Sequence, residues 1–352
     1  MKTIRIDASH SYDVVIGPGL LTEVGGRITA LTGRVRAMVV SDDRVFPLYG
    51  EKLMGSLQAA GLEPARFVFP RGEQEKNLTT YGLLLEELCR EHFTRSDLIV
   101  ALGGGVVGDL AGFAAATYQR GVPFVQFPTT LLAAVDASVG GKTAVDLAGG
   151  KNQAGAFYQP ALVLCDTDCL RTLSQEEYRC GCAEIIKYAM IGSPALFADL
   201  ARTPVRDRFE DVIAACVDMK RRFVQADEFD TGERMLLNFG HSFGHAAEAC
   251  SGYTLPHGLA VAMGMAAMTR SAAKAGICPV ETAEALLGLL RDYGLPTELP
   301  YPPEALAEAA RADKKAAGGR LRIVVPETVG RCRIETIPAG DILSWLKRGG
   351  EP

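Results

Sequence analysis

The sequence predicts an α/β N-terminal domain built on a mainly parallel, Rossmann-like sheet, followed by a mostly α-helical C-terminal domain, with the functional site in the cleft between them. Two textures along the 352 residues predict it. Up to about residue 170, runs rich in β-branched and aromatic residues recur at 12–16, 37–40, 67–69, 98–102, 124–127 and 162–165. Helix-like stretches such as 49–60 and 81–91 separate them, and strands alternating with helices build a parallel sheet covered on both faces. From Ser174 onward long Ala- and Leu-rich segments take over, at 177–190, 209–226, 239–249 and 259–275, interrupted late by β-like runs at 321–325 and 331–336. The boundary falls within 160–174, giving domains 1–172 and 173–352, and a site using both halves would lie between them.

Composition narrows the function classes. A net charge of −5 gives no general attraction to nucleic acid or to an anionic membrane, so any cationic site must be a local cluster serving a small anion. The first residues lack an apolar core of signal-peptide length and read directly as a strand, and the small, apolar run 258–268 is too short to span a bilayer. A cytoplasmic protein is expected. Nine cysteines without a paired CxxC framework read as reduced packing thiols, not as a metal or redox site.

The strand-like 97–102 runs into Gly103-Gly104-Gly105-Val106-Val107-Gly108-Asp109, whose glycines fit GxGxxG ahead of a helix start. Glycines let backbone N–H groups approach a pyrophosphate, and a helix N-terminus favours its charge. The next strand ends in Pro128-Thr129-Thr130 and not in the acidic ribose-binding residue of the standard fingerprint. A nucleotide-phosphate site in a sheet of non-standard arrangement is therefore expected. Ribose and adenine partners are sought earlier, at Asp42 and in Gly72-Glu73-Gln74-Glu75-Lys76. Residues 136–152, DASVGGKTAVDLAGGKN, place Asp136, Lys142, Lys151 and Asn152 in a glycine-rich stretch with little capacity for a solid helix. Compact cations beside flexible backbone suit an oxyanion such as phosphate, although such stretches are often only solvated loops.

The segment 234–248, RMLLNFGHSFGHAAE, carries the sharpest signal. Three of the five histidines fall within 241–257, and His241, His245 and Glu248 are spaced i, i+4, i+7, on one face of a helix. Neutral imidazoles at this spacing suit zinc, and a catalytic zinc takes three protein ligands and keeps an open position. Chemistry alone names His241, His245 and His257 as the metal set; several acids can supply a third ligand, and spacing does not choose among them.

Taken together, GGGVVGD at 103–109, RGVPFVQFPTTLLAAVDASVGGKTAVD at 120–146, GKNQAGAFYQP at 150–160, GCAEIIKYA at 181–189, RMLLNFGHSFGHAAE, HGLAVAMGM at 257–265 and DKK at 313–315 stand in the order found in 3-dehydroquinate synthases. The chain resembles that family of NAD- and zinc-dependent sugar phosphate cyclases over almost its whole length. The resemblance implies a different zinc set, Glu184, His241 and His257, with cobalt able to substitute, and moves His245 to the substrate. It implies conversion of 3-deoxy-D-arabino-heptulosonate 7-phosphate into 3-dehydroquinate and phosphate. Transient oxidation at C5 by NAD acidifies the C6 proton, phosphate is eliminated, and re-reduction, ring opening and an intramolecular aldol step follow. The substrate phosphate itself is able to accept the C6 proton.

The same resemblance assigns Lys142, Asn152, Lys187, Lys220, Arg234, Asn238 and one of Lys314 or Lys315 to the polar lining for carboxylate and phosphate. It places Asp42, Glu73, Lys76, Gly104, Gly105, Asp109, Thr129, Thr130, Asp136, Lys142, Lys151 and Thr172 on the NAD side. It also implies a homodimer in which Arg120 reaches the neighbouring site. Asp230 stands where the family commonly has Glu. Relatives acting on sedoheptulose 7-phosphate or glucose 6-phosphate lack the substrate carboxylate, and Lys220, Arg234, Asn238 and His245 keep the dehydroquinate synthase pattern. A metal-dependent polyol dehydrogenase would lack the GGKTAVD and GKN cluster.

Overall fold

A computed structural model describes residues 1–33, 35–313 and 319–350. Lys314 and Lys315 lie outside the described residues. The chain forms two compact units: Met1–Leu173 with Lys220–Phe229, and Ser174–Met219 with the described residues from Asp230 on.

The first unit carries a seven-stranded sheet and a hairpin. Its strands are β1 (Lys2–Ile6), β2 (Tyr12–Gly17), β3 (Arg36–Asp42), β4 (Glu63–Phe69), β5 (Leu98–Gly103), β6 (Phe124–Pro128), β7 (Lys142–Leu147), β8 (Gly150–Phe157) and β9 (Leu162–Asp166). The sheet order is β1-β2-β9-β6-β5-β3-β4, and every neighbouring pair is parallel except β1 with β2. β5, β6 and β9 are buried along their whole length, as strands covered on both faces must be. Alternate residues feed two cores. Val39 and Val100 join the core under α1 (Leu20–Thr32) and α2 (Glu51–Ala59), while Met38, Val40, Ile99 and Ala101 join the core under α3 (Leu78–Arg90) and α4 (Gly105–Thr117).

This arrangement fixes where a ligand goes. From β3 the chain passes through α2 outward to β4, then returns through α3 to β5 on the opposite side of β3. The carboxyl ends of β3 and β5 are therefore the point where strand order reverses, the usual crevice for a ligand in an open α/β sheet. Asp42 ends one strand and Gly103 the other.

The glycine-rich stretch 136–152 is more ordered than its composition suggests. Lys142 pairs with Phe157, Thr143 with Ala156 and Val145 with Ala154 across the β7–β8 hairpin. Val145, fully buried, ties it to the core beneath α3 and α4. Short strands without a β-branched run give no periodic signal, and for that reason the sequence does not announce them.

The second unit contains α5 (Gln175–Gly192), α6 (Pro194–Leu200), most of α7 (Phe209–Ala226), α8 (His241–Cys250), α9 (His257–Lys274), α10 (Val280–Asp292), α11 (Pro303–Asp313), the antiparallel pair β10 (Arg320–Thr328) and β11 (Arg331–Pro338), and α12 (Ile342–Gly350). Ser174 and Glu177 close a capping box that starts α5. α9 is the hub, packed by α5, α8, α10 and α12. Glycines set its distance: a Cβ on Gly264 would lie 2.0 Å from the Gly240 carbonyl oxygen, and one on Gly258 2.3 Å from Cys180 Cα. Among the described residues no helix is long and apolar enough to cross a membrane.

The nine cysteines are unbridged, and burial pushes the thiols of Cys169 and Cys182 up to about 12. Such groups are protonated and unreactive near neutrality.

Adjacent glycines in α1 give a test of this packing. A Cβ on Gly25 would lie 2.0 Å from the Ser56 carbonyl oxygen on α2, whereas Gly26 faces open space. Gly25→Ala is expected to lower the free energy of unfolding by about 2 kcal/mol or more. Gly26→Ala should raise it by up to about 1 kcal/mol through helix propensity. Urea titration of the two variants side by side checks the contrast.

Candidate active site

In the first unit the glycine loop turns directly from β5 into α4. Gly104 is the N-cap of α4 and no side chain caps the helix. The first-turn N–H groups thus lack intrahelical acceptors, which suits an anion. Any Cβ on Gly104 would come within 3.1 Å of Thr130 Cγ2, so the bare backbone keeps this approach open. Thr129, the residue after β6, has its hydroxyl buried without a hydrogen-bond partner.

Charged residues gather beside this loop. Lys76 Nζ, 5% exposed, lies 2.9 Å from Asp109 Oδ2 and 3.6 Å from Glu73 Oε1, and Lys151 Nζ lies 3.5 Å from the same Glu73 oxygen. Burial opposes the charge on Lys76, but Asp109 and Glu73 outweigh it and hold its pKa above the usual range. Burial pushes Asp109 upward, against the pull of Lys76. Lys220 Nζ donates to the Asp136 backbone oxygen at 2.5 Å and to its Oδ1 at 2.7 Å, and this pair belongs to the same unit.

Other positions that the resemblance assigns to the NAD side are engaged locally. Asp42 Oδ1 accepts from the N–H groups of Arg44 and Val45, while burial raises its pKa. The Thr172 hydroxyl meets Tyr49 Oη at 2.5 Å. Lys142 opens β7 and is exposed. Asn152, also exposed, adopts φ 56°, and its N–H donates to Asp146 Oδ1 at 2.8 Å. Asp146 in turn donates its own N–H to the Lys76 carbonyl. Reading the sequence missed Asp146; its position inside KTAVD beside two cations was the available signal. Arg120 is exposed in a turn where Gln119, Arg120 and Gly121 all have positive φ.

In the second unit α8 presents His241, His245 and Glu248, α9 begins with His257, and α5 supplies Glu184 and Lys187. Glu184 is fully buried, and its Oε2 lies 2.5 Å from Lys187 Nζ. Its Oε1 lies 3.4 Å from His257 Nε2 and 3.9 Å from His241 Nε2. One ligand atom each from Glu184, His241 and His257 falls within 4.8 Å of the others, and so does one each from His245, Glu248 and His257. Arg234, 1% exposed, and Asn238 sit on the short 3-10 turn Glu233–Asn238 leading into α8. Asp230 has φ 59°, a conformation that Asp tolerates better than longer side chains and that gives a physical reason for Asp there.

The donor set of the first trio fits a divalent ion. His241 Nδ1 lies 3.2 Å from the Phe239 carbonyl, and His257 Nδ1 lies 3.2 Å from Glu248 Oε2. A carbonyl and a carboxylate only accept, so each Nδ1 carries a proton, and each Nε2, on the side of Glu184, is the nitrogen that would give its lone pair to a metal once any proton there is displaced. Burial, then Lys187, holds His241 well below its ordinary pKa, whereas hydrogen bonds to Glu184 and Glu248 overcome burial and raise His257 to about 10.

Comparison with known proteins decides the family. Residues 66–180 match the 3-dehydroquinate synthase N-terminal family model and residues 181–316 the C-terminal one. The chain belongs to the 3-dehydroquinate synthase family. It is 47% identical over 346 residues to the 3-dehydroquinate synthase of Caulobacter vibrioides, covering 94% of each chain. It is 43% identical to that of Streptococcus gordonii, covering 96% of this chain and 98% of the relative. In fold it is similar to 2-deoxy-scyllo-inosose synthase complexed with carbaglucose-6-phosphate, NAD+ and Co2+ (TM-score 0.89, 25% identity, 99% and 100% covered). It is also similar to 2-epi-5-epi-valiolone synthase from Streptomyces hygroscopicus with NAD+ and Zn2+ bound (TM-score 0.87, 28% identity, 98% of each chain). Members of the 3-dehydroquinate synthase family are enzymes, so the cluster around Glu184 belongs to an enzyme.

The Lys76–Asp109 pair generates a stability prediction. Lys76→Met leaves Asp109 without its closest cation and is expected to cost about 3 kcal/mol, the scale of breaking a buried pair. Adding Asp109→Leu should recover much of that loss, because the stranded charge is gone. A double-mutant cycle in denaturant measures it; simple additivity of the two losses would contradict the pairing.

Proposed function

We propose that the chain converts 3-deoxy-D-arabino-heptulosonate 7-phosphate into 3-dehydroquinate and phosphate, with the first unit binding NAD and the second binding the metal and much of the substrate. The observation that carries this reading is the Glu184–His241–His257 trio in a chain whose near full-length relatives at 42–47% identity bear the 3-dehydroquinate synthase name. When bound, NAD supplies the transient hydride acceptor and the divalent ion, zinc in this proposal, the Lewis acid for the substrate hydroxyls. The solved neighbours at 25–28% identity hold NAD+ with Co2+ or Zn2+, which supports the cofactor pair.

The chain's own residues then have definite work. Gly104 and Gly105 hold the pyrophosphate against the N-terminus of α4. Lys76, Lys151 and Asp136 fix the polar wall beside it, and Asp42, Glu73, Asp109, Thr129, Thr130 and Thr172 complete it. Lys142, Asn152, Lys187, Lys220, Arg234 and Asn238 bind the substrate's carboxylate and phosphate, where closely held cations favour the oxyanions. His245 touches the substrate beside the metal. Arg120, on its exposed turn, reaches the neighbouring site of a homodimer.

Two measurements test this. Purified protein with NAD and a divalent metal is expected to release phosphate from the heptulosonate phosphate without net NADH. Sedoheptulose 7-phosphate and glucose 6-phosphate should be poor substrates in the same assay. Steady NADH accumulation would mean a dehydrogenase instead. His257→Ala is expected to lose the metal, while His245→Ala keeps it and loses turnover by roughly 10²-fold or more, the scale of one well-placed proton-handling group. Metal loss in both variants would restore the three-histidine set.

A further inference from the structure

Glu248 has no part in the reaction described above, yet its position is costly. It is 1% exposed and stands in the last turn of α8. There the helix dipole presents its negative end, which disfavours a carboxylate. Its backbone oxygen already ends the helix, accepting from Ser251 Oγ and from the N–H groups of Ser251 and Tyr253. The side chain instead meets the first residue of α9, His257, through Nδ1 at 3.2 Å.

The geometry points to Glu248 as the positioning residue of the metal centre: it holds the His257 ring so that Nε2, and not Nδ1, faces the ion at Glu184. His257 lies between two buried carboxylates, with Nε2 3.4 Å from Glu184 Oε1 and Nδ1 3.2 Å from Glu248 Oε2. Either nitrogen of a free imidazole can ligate, so an unanchored ring is able to turn the wrong one inward. Glu248 removes that choice, and its negative charge makes the ring a stronger donor. The spacing between the two helices is not adjustable. A Cβ on Gly244 would lie 2.9 Å from the Ala260 carbonyl oxygen and one on Gly264 2.0 Å from the Gly240 carbonyl oxygen, so α8 and α9 are in backbone contact. His241 is anchored by the Phe239 carbonyl in the same sense, with its Nδ1 turned away from Glu184.

This inference rests on the Glu184–His241–His257 reading, and His257→Ala is the control that separates the two. The experiment uses full-length protein and measures Zn2+ affinity by chelator competition, metal stoichiometry, and the visible absorption of the Co2+-loaded form. Glu248→Gln keeps size and an acceptor oxygen; Glu248→Leu keeps only bulk. Zinc affinity should fall about 10-fold in Glu248→Gln and up to about 100-fold in Glu248→Leu, the range seen when an outer partner of a ligating histidine is lost. The Co2+ spectrum should shift in both, with one metal per chain throughout, and kcat should fall more than KM changes. Unchanged affinity and spectrum in both variants, with the metal lost in His257→Ala, would overturn the positioning role. So would a wild-type stoichiometry of two falling to one, because Glu248 would then be a ligand with His245 and His257. Metal retained in His257→Ala would instead defeat the ligand reading on which the inference stands.

Discussion

A carboxylate removed from water is the constraint around which the second unit is organised. Glu184 is fully buried on α5, and an ionised carboxylate in such a place is tolerable only amid positive charge or metal. Lys187, one turn later on the same helix, places its ammonium 2.5 Å away. On its other side stand two imidazoles whose Nδ1 atoms are turned toward Phe239 and Glu248 and whose Nε2 atoms lie toward Glu184. Once that carboxylate is fixed, the rest follows: α8 and α9 must bring their histidines to α5, and glycines at 240, 244, 258 and 264 are what let three helices approach so closely.

The first unit solves a different problem with the same economy of means. In the proposed nucleotide site the anion would be met by backbone, with glycines and the uncapped start of α4 as the donors. Cations cannot simply be added around it, because each would repel its neighbours. They are instead neutralised in place: Glu73 stands between Lys76 and Lys151, Asp109 faces Lys76, and Asp136 faces Lys220. These pairs make a nearly neutral cluster, and in the proposed site donors already held by partners would reduce the ordering cost of binding.

The fold was legible where burial imposes a period. Buried parallel strands are continuous apolar runs, and β2, β3, β5, β6 and β9 stood out for that reason. The β7–β8 hairpin did not, because only three of its fourteen residues are buried and its turn is glycine-rich. Helical spacing likewise put His241, His245 and Glu248 on one face, but a shared face alone does not choose a ligand set. Which nitrogen points where depends on Phe239 and Glu248, and no spacing rule encodes those contacts. The resemblance to a known family supplied Glu184, which is separated from His241 by the whole of α6 and α7. Nothing in local sequence joins those two residues.

Backbone conformation adds a final layer. Arg120, Asn152 and Asp230 all have positive φ without being glycine. Such conformations cost on the order of 1 kcal/mol or more and persist only where surrounding contacts impose them. For Asn152 the contact is visible: Asp146 accepts its N–H, and Asp146 is itself pinned by the Lys76 carbonyl. Strain at Asn152 is therefore borne by the same Lys76 whose side chain anchors Asp109 beside the glycine loop. One lysine thus contacts Asp146 of the hairpin through its backbone and Asp109 of α4 through its ammonium. A substitution at Lys76 therefore removes the ammonium that holds Asp109 but keeps the carbonyl that accepts from Asp146, so the two halves of this link can be broken separately.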